Sequence, residues 1–247
     1  GAVVLNGLSN TWSGGAISIG GAGGVTLAAG RILAISGGLN KTLDGGRLTN
    51  SGTTTFTDAG NLMLNNGAEL TNNNLFDIQS DADFQYISGV APVLANTGTL
   101  RKSGGSAVTV IGLSNSFAFT NSGTLDVQVG TLQYAGNNSF NAGTAFTGAG
   151  VSQVTNGATF NGSIASSNLD LAGGIHSGTA TFSGTSKWSG GTISGANFSI
   201  PAGSTLSIAN PSSVDISSAT LSNAGAINWT GAGNLLLNNG AQLNNSG

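Results

Sequence analysis

Residues 57–72 read TDAGNLMLNNGAELTN, and residues 230–245 read TGAGNLLLNNGAQLNN. Twelve of these sixteen positions are identical, and the offset between the two segments is 230 − 57 = 173. A second match upstream joins WSGGAIS, from Trp12, to WSGGTIS, from Trp188, and here the offset is 188 − 12 = 176. Fixed internal periods are the sequence signature of repeat architectures. The duplication therefore predicts a repeat protein.

The two copies extend beyond the matched segment. Residues 1–74 repeat as residues from about 178 to 247, and the small difference between the two offsets falls in the Gly20–Gly24 loop. We therefore expect residues 1–247 to form one continuous segment without an internal domain boundary. We also expect this segment to be a window of a longer repeat array.

A finer repeat lies inside the long one, with the pattern apolar residue, any residue, Asn, small residue, Gly. From Leu48 the pattern begins again at positions 70, 94 and 119, so that its spacings are 22, 24 and 25, and they then become irregular. The pattern occurs at Leu48–Gly52, Leu94–Gly98, Phe119–Gly123, Leu221–Gly225 and Leu243–Gly247, with a variant at Leu70–Asn74.

Short alternating runs follow these Asn-Gly turns, as in GTLDV at residues 123–127 and GAINW at residues 225–229. Alternation with a period of two is typical of half-buried strands. About three short strands per 20–25 residues, joined by tight turns, describe a coil that stacks on itself. The sequence therefore predicts an all-β fold, a right-handed parallel β-solenoid (β-helix) with roughly 11 coils, each about 4.8 Å above the last.

The composition agrees with stacking, because only 6% of the residues are charged and there is no Cys. Like charges stacked at strand spacing would repel, whereas Asn amides can form ladders along the axis. Glycine is expected to supply positive φ at the corners. Six basic residues without a cluster argue against nucleic-acid binding, and no apolar run is long enough to span a membrane.

The motifs GTLDVQ, LTNSG, NNGAEL and WSGGTISG resemble the repeats of large bacterial surface and secreted proteins. These are the filamentous-haemagglutinin-like exoproteins of two-partner secretion and the autotransporter passengers, which fold as right-handed parallel β-helices. The resemblance implies an extracellular or cell-surface protein that serves as an adhesin stalk, a fibre or a component of the biofilm matrix.

The candidate chemical residues are few. Asp77, Asp81 and Asp83 form the densest acidic cluster, which could bind Ca²⁺ or provide paired carboxylates. The cluster lacks the EF-hand spacing and has no basic residue within it, so solvated loop carboxylates are the expected role, with Asp77 on an outward strand position. His176, the single histidine, is expected in solvent or in a turn. No motif predicts a catalytic, cofactor-binding or metal site.

Tryptophan could provide stacking platforms for glycans. Trp229 replaces Phe56 at an inward position and is therefore expected in the core, whereas Trp12 and Trp188 are expected at a wide corner of the coil. The rest of the predicted core consists of inward apolar residues: Leu48, Leu70, Leu94, Phe119, Leu125, Val127, Leu221, Ile227 and Leu243.

The expected function is structural, a stiff extracellular fibre or adhesin-stalk segment without enzymatic activity or cofactor. Its expected partners are copies of itself in a filament or a continuation of the same polypeptide, and a cell-surface or glycan ligand. Two alternatives remain open. One is a carbohydrate-active β-helix enzyme of the tailspike or polysaccharide-lyase type, which needs charged residues clustered on one face of neighbouring coils. The other is a glycan-binding adhesin, which needs an exposed aromatic row.

Overall fold

The computed structural model describes residues 1–19, 23–57, 59–114 and 116–247, and every regular element in that part of the chain is a β-strand. All pairings between these strands are parallel. They wind into about 11 turns of a single β-solenoid. The predicted parallel solenoid is confirmed, and its handedness stays a prediction. Most of the Gly20–Gly24 loop lies outside the described residues.

The strands in chain order are β1 (Ala2–Leu5), β2 (Ser9–Trp12), β3 (Ala16–Ser18), β4 (Gly24–Leu27), β5 (Ile32–Ile35), β6 (Lys41–Asp44), β7 (Arg47–Asn50), β8 (Thr53–Phe56), β9 (Leu62–Asn65), β10 (Glu69–Asn72), β11 (Leu75–Gln79), β12 (Phe84–Gln85), β13 (Val93–Asn96), β14 (Thr99–Gly104) and β15 (Val108–Ile111). They continue as β16 (Ala118–Asn121), β17 (Thr124–Val127), β18 (Thr131–Tyr134), β19 (Asn137–Phe140), β20 (Ala145–Thr147), β21 (Val151–Val154), β22 (Gly157–Leu171), β23 (Ile175–Trp188), β24 (Thr192–Ile200), β25 (Thr205–Ile208), β26 (Val214–Ser217), β27 (Thr220–Asn223), β28 (Ala226–Trp229), β29 (Leu235–Asn238) and β30 (Gln242–Asn245).

Each turn presents one strand or strand segment on each of three faces. Face A contains β1, β4, β7, β10, β13, β16 and β19, face B contains β2, β5, β8, β11, β14, β17 and β20, and face C contains β3, β6, β9, β12, β15, β18 and β21. The long strands β22 and β23 bend through all three faces, and β24 covers faces A and B. The last strands are β26 and β29 on face A, β27 and β30 on face B, and β25 and β28 on face C.

The Asn turns set the register of the first half. Asn50, Asn72, Asn96 and Asn121 are direct partners on successive coils of face A. Each Nδ2 donates to the Oδ1 of the next asparagine, at 2.7, 2.6 and 2.6 Å. The predicted Asn ladder is therefore confirmed. Its buried amides replace water as hydrogen-bond partners, which makes a shift of register costly.

The ladder ends where the sequence repeat becomes irregular. Asn121 donates to the Thr144 hydroxyl at 3.0 Å, and its partner on face A is Phe140. Beyond this point each coil contains fewer residues. Gly157 and its partner Ile175 are closer in sequence than any two successive asparagines of the ladder. Aromatic packing takes over in this interior: the ring centroids of Phe140 and Phe160 are 5.1 Å apart and stacked. Such pairs contribute about 0.5–1.5 kcal/mol beyond the area that they bury.

The glycine that closes each Asn turn has a reason other than the one expected. Gly52, Gly98 and Gly123 have φ outside the left-handed region. A Cβ at Gly98 would instead overlap the backbone of Asn74 in the coil below, and one at Gly123 would overlap the carbonyl oxygen of Gly98. The motif glycines are therefore needed because they have no side chain, which lets the turns of successive coils approach each other closely.

The long repeat does not return to the same face. Strand β27 is the equivalent of β7 in the second copy. Between them the chain makes eight complete turns and then advances by one further face. Strands β7, β8 and β9 lie on faces A, B and C, whereas their equivalents β27, β28 and β29 lie on faces B, C and A. Each repeat copy is therefore rotated by about a third of a turn relative to the preceding one.

The predicted core is confirmed except in the last coils. Seven of the predicted core residues are buried: Leu48, Leu70, Leu94, Phe119, Leu125, Val127 and Leu221. Ile227 and Leu243 point inward but are only partly buried. Trp229 is 51% exposed, so its assignment to the core is wrong, although its equivalent Phe56 is fully buried. The difference arises because β8 is paired on both sides, whereas β28 is paired only with β25.

Replacing Asn96 by alanine tests the ladder. Asn96→Ala removes the hydrogen bond that Asn96 accepts from Asn72 and the one that it donates to Asn121, and we expect the free energy of unfolding to fall by about 2–3 kcal/mol. The exposed, outward Asn197 provides the matched control, because Asn197→Ala should change stability by less than about 0.5 kcal/mol. Urea denaturation followed by circular dichroism measures both. Equal losses in the two variants would contradict a stabilising ladder.

Candidate functional sites

Charged side chains gather on face B, where three coils place Asp77, Arg101 and Asp126 in one outward column. Arg101 Nε lies 2.9 Å from Asp126 Oδ2. The second carboxylate, Asp77, accepts hydrogen bonds from the Ser103 hydroxyl at 2.7 Å and from Gln79 Nε2 at 2.8 Å. The column alternates negative, positive and negative charge. Its members therefore attract one another along the axis instead of repelling.

Asp77 does not behave as a solvated carboxylate, and that expectation is wrong. Its position is outward, between the inward Phe76 and Ile78, yet only 8% of the residue is exposed. Ser103 and Gln79 cover both of its oxygens. A buried carboxylate is tolerated when such donors replace its water.

A buried lysine organises the adjacent corner between faces B and C. Lys102 is fully buried, at an inward position between Leu100 and the loop that follows β14. Its Nζ donates to Asp81 Oδ1 at 2.8 Å, to the carbonyl oxygens of Ser80 and Gly104 at 2.8 and 3.0 Å, and to the Thr109 hydroxyl at 3.1 Å. One ammonium therefore holds two consecutive corner loops together.

The other two acidic candidates belong to the same corner. Asp81 pairs with Lys102 and accepts a hydrogen bond from the Ala107 amide at 3.0 Å. Asp83 accepts one from the Val110 amide at 2.7 Å and another from Gln85 Nε2 at 3.3 Å. The acidic cluster thus consists of loop-fixing acceptors that are engaged by protein donors. Among the described residues, no group of three or more His, Cys, Asp or Glu side chains is arranged to hold a metal ion.

His176 lies in the core, so its assignment to solvent or a turn is wrong. It is fully buried on β23, in register with Ala158 and Ile193. Its ring centroid is 6.1 Å from that of Phe160, and neither ring nitrogen has a hydrogen-bond partner. Burial away from water disfavours the imidazolium and lowers the pKa of His176 to about 4. The side chain is therefore neutral at pH 7 and packs as an aromatic ring.

The tryptophans of the two WSGG motifs are structural. Trp12 is 7% exposed and Trp188 is fully buried. Each indole Nε1 donates to the carbonyl oxygen two residues later, Gly14 at 3.1 Å and Gly190 at 2.9 Å. The same hydrogen bond in both copies closes the corner after the strand, as the predicted corner position requires. Neither ring offers a free face to a ligand.

The buried lysines are the feature that sequence reasoning missed. Both Lys41 and Lys102 are fully buried at inward positions, and Lys41 Nζ donates to the Leu39 carbonyl oxygen at 2.6 Å. The signal was present, because alternation places Lys41 in phase with the inward Leu43 and Lys102 in phase with the inward Leu100. A lysine in an inward phase beside a longer loop indicates an ammonium that binds loop carbonyl groups.

No protein-family model, curated protein or solved structure matches this chain. The resemblance to haemagglutinin-like and autotransporter repeats is supported only at the level of the shared β-solenoid architecture. In the part of the chain that the structure describes, no helix has the length and apolar character to cross a membrane.

Removal of the Lys102 ammonium tests its role in the corner. Lys102→Met removes one donor from Asp81 and from three other oxygens, and we expect the free energy of unfolding to fall by about 1–3 kcal/mol, because the Asp81 side chain that remains is 39% exposed and keeps access to water. Lys187 also pairs with a carboxylate, that of Asp170 at 3.3 Å, but its side chain is 48% exposed. Lys187→Met should therefore cost less than about 1 kcal/mol. If the urea midpoints of the two variants fall equally, the hydrogen bonds of the Lys102 ammonium do not stabilise the fold.

The pH dependence of stability tests the environment of His176. Its folded pKa, about 4, is below the unfolded value of 6.5. The unfolded state therefore binds a proton first as the pH falls. Stability from this group is fully present above pH 6.5 and declines between pH 6.5 and about 4, by up to about 3 kcal/mol.

The His176→Phe variant isolates this contribution. Its urea midpoint should exceed that of the unmodified chain by an amount that grows as the pH falls from 6.5 to 4.5, while the carboxylates affect both proteins alike. A constant difference between the two proteins over this range would refute the assignment.

Proposed function

We propose that this chain is a rod-forming segment of an extracellular bacterial fibre or adhesin stalk. The observation that carries the proposal is parallel pairing that continues from coil to coil on three faces, from β1–β3 to β28–β30. A rod of about 11 turns at about 4.8 Å per turn is about 50 Å long. A β-solenoid is consistent with a structural or adhesin-like role.

The distribution of charge supports a mechanical role. The ion pairs Arg47–Glu69, Arg101–Asp126, Lys102–Asp81 and Lys187–Asp170 each join neighbouring coils. Every one of these bridges therefore acts along the rod axis, in addition to the backbone ladder and the stacked core. We propose that the segment acts through length and stiffness and without catalysis, at the cell surface or in a biofilm matrix.

Self-association supplies the partner in this proposal. An interior strand such as β8 pairs in parallel with the coil on each side of it. Unpaired strand edges add further strands readily. We propose that the same β-stacking joins this rod to copies of itself in a filament or to more of the same polypeptide, and that the rod carries a cell-surface or glycan ligand.

The carbohydrate-active alternative has one observation in its favour. The Asp77–Arg101–Asp126 column is the cluster of charges on neighbouring coils that such an enzyme requires. Its carboxylates are, however, already hydrogen-bonded: Asp126 Oδ2 accepts from Arg101 and Gln128, and Oδ1 from Thr147. The glycan-binding alternative requires a row of exposed aromatic rings, and Trp229 is the single large aromatic side chain among the exposed apolar residues of the described chain.

Spin-label distances test the stiffness on which the function rests. Because the chain contains no Cys, labels at Thr26→Cys and Thr159→Cys report one pair of sites on face A. These residues lie six pairing steps apart in one column. We expect a single narrow distance distribution centred near about 29 Å.

A proline in β16 should abolish this narrow distribution. Thr120 lies between Ala118 and Ser122, whose amides donate to the coil below, and Thr120→Pro removes the amide between them. The Thr120→Ala variant keeps the backbone amide and should retain the narrow distribution. A broad distribution in the doubly labelled chain without further change, or hydrolysis of a polysaccharide by that chain, would contradict the proposed role.

A further inference from the structure

A hollow of about 300 Å³ lies on face A, where three coils in the middle of the chain meet. Asn137 begins β19, Gly157 begins β22 and Ile175 begins β23, so these residues stand at the same place on three successive coils. Gly157 has no side chain, and its backbone forms the floor between the Asn137 and Ile175 side chains. Thr159 and Ser177 line the hollow two residues further along β22 and β23. We call this site the face A hollow.

The face A hollow presents uncharged hydrogen-bonding groups. The side-chain amide of Asn137 is exposed and has no hydrogen-bond partner in the described part of the chain. The Thr159 and Ser177 hydroxyls lie 3.3 Å apart and share one hydrogen bond between their coils. Because each hydroxyl has one hydrogen and two lone pairs, the pair can still donate one hydrogen bond and accept others. The hollow can therefore both donate to a ligand and accept from it.

One apolar side chain stands beside these groups, and charge is absent from them. Ile175 is 63% exposed. None of the described residues that line the hollow is charged, and residues 127–169 contain no Asp, Glu, Lys or Arg. A charged ligand would therefore lose water without gaining a counter-charge, which is unfavourable.

Asn138 fixes the floor of the hollow. It occupies an inward position, is 2% exposed, and donates from Nδ2 to the carbonyl oxygens of Gly136 and Gly157, each at 3.0 Å. Its partners on the adjacent coils, Phe119 and Ala158, are apolar. The asparagine therefore takes the place of an apolar core residue, and what it provides is a fixed position for two carbonyl groups at the hollow.

Two buried side chains directly behind the hollow carry polar atoms without partners. Asn138 Oδ1 and both ring nitrogens of His176 have no hydrogen-bond partner among the described residues. Asn138 follows Asn137 in β19, and His176 lies between Ile175 and Ser177 in β23. Unpaired buried polar atoms cost stability, and such departures from an optimal core are expected at functional sites. The residues behind the hollow therefore support a function for it.

The surroundings restrict the class of ligand. Strand β22 is paired with β19 on one side and with β23 on the other, so a peptide finds no free strand edge. A phosphate backbone would need basic side chains, and the hollow has none. A sugar ring carries several hydroxyl groups around a small apolar C–H face. Amide and hydroxyl groups beside one exposed Ile175 side chain match that chemistry.

We propose that the face A hollow binds one sugar unit of a neutral glycan. The Asn137 amide and the hydroxyls of Thr159 and Ser177 hydrogen-bond to the sugar hydroxyls, and Ile175 packs against the C–H face. The volume is at the lower end of that of small-molecule sites, which suits a single unit. This inference rests on the proposed function, in which the rod carries a cell-surface or glycan ligand, and it gives the place and the class of that ligand.

Titration of the ¹⁵N-labelled full chain, followed by NMR, tests the site. The neutral probes are maltotriose, cellotriose, mannotriose and chitotriose, and the charged probe of the same length is trigalacturonate. We expect at least one neutral trisaccharide to cause saturable shifts of the Asn137 side-chain amide and of the Thr159 and Ser177 backbone amides. Its Kd should be on the order of 1 mM, because the site is small and makes few contacts. Trigalacturonate should cause no such shifts.

Matched substitutions assign the binding to the hollow. Thr159→Val removes the hydroxyl, keeps the branched shape and should raise the Kd about three- to tenfold. Thr120→Val is the control, because Thr120 lies in the same outward column two coils earlier and does not line the hollow. Asn137→Ala should weaken binding by a similar factor, whereas Asn197→Ala, outside the hollow, should not. The NMR spectrum of each variant shows directly whether the rod remains folded.

The proposal is overturned if none of the neutral trisaccharides causes saturable shifts at the hollow, or if trigalacturonate binds equally well. Equal effects of Thr159→Val and Thr120→Val on the Kd would also overturn it. The spin-label distance between positions 26 and 159 is measured without saccharide, so none of these results changes that distance. Failure of this inference is thereby distinguished from failure of the rod function.

Discussion

The structure depends on hydrogen bonding between the backbones of successive coils in parallel register. Each coil lies about 4.8 Å above the preceding one, so each side chain sits on the residue that occupies the same place one turn earlier. The pairings of Asn50, Asn72, Asn96 and Asn121 show this directly. The packing of the core, the placement of charges and the choice of turn residues all follow from which side chains can stack on their equivalents in the next coil.

Stacking explains why the chain uses so little charge and where it places the charge that it has. A column of like charges would repel at strand spacing, whereas Asp77, Arg101 and Asp126 alternate in sign. Inside the coil, an unpaired ammonium would be costly. Lys102 is tolerated because four oxygens, those of Ser80, Asp81, Gly104 and Thr109, surround its Nζ. These charged groups therefore link neighbouring coils at a few positions of a rod that is otherwise largely uncharged.

The sequence was sufficient to predict the solenoid and the register of its first half, because identical motifs at nearly constant spacing must stack if they fold alike. It was insufficient between β19 and β24, where the Asn-Gly motif occurs only in shortened forms, at residues 140–143 and 154–157, and aromatic residues such as Phe140 and Phe160 fill the interior. His176 was misplaced for this reason: its burial depends on residues of the adjacent coils, Ala158, Phe160 and Ile193, which local sequence does not identify. Exposure of Trp229 was missed because coverage depends on the neighbouring coil and not on the residue itself.

The repeat gives the rod a second level of order. One copy of the long repeat spans eight turns and one further face. A strand on face A in the first copy therefore has its equivalent on face B in the second copy, and in the same way face B is followed by face C and face C by face A. A feature that occurs once in each copy, such as the corner closed by Trp12 or Trp188, is thereby presented on successive faces. A longer array built on the same rule would distribute any such feature around its axis.

Disulfide trapping tests the in-register stacking most directly, in a chain that has no cysteine of its own. Thr49 and Thr71 are direct partners on adjacent coils, and their separation of about 4.8 Å lies within the Cα range of a disulfide. Thr49 and Asn73 are two residues out of register, at a diagonal distance of about 8 Å that exceeds this range. Mild oxidation should rapidly cross-link the chain with cysteines at 49 and 71 and leave the one with cysteines at 49 and 73 reduced. Preferential cross-linking of positions 49 and 73 would contradict the register on which the account rests.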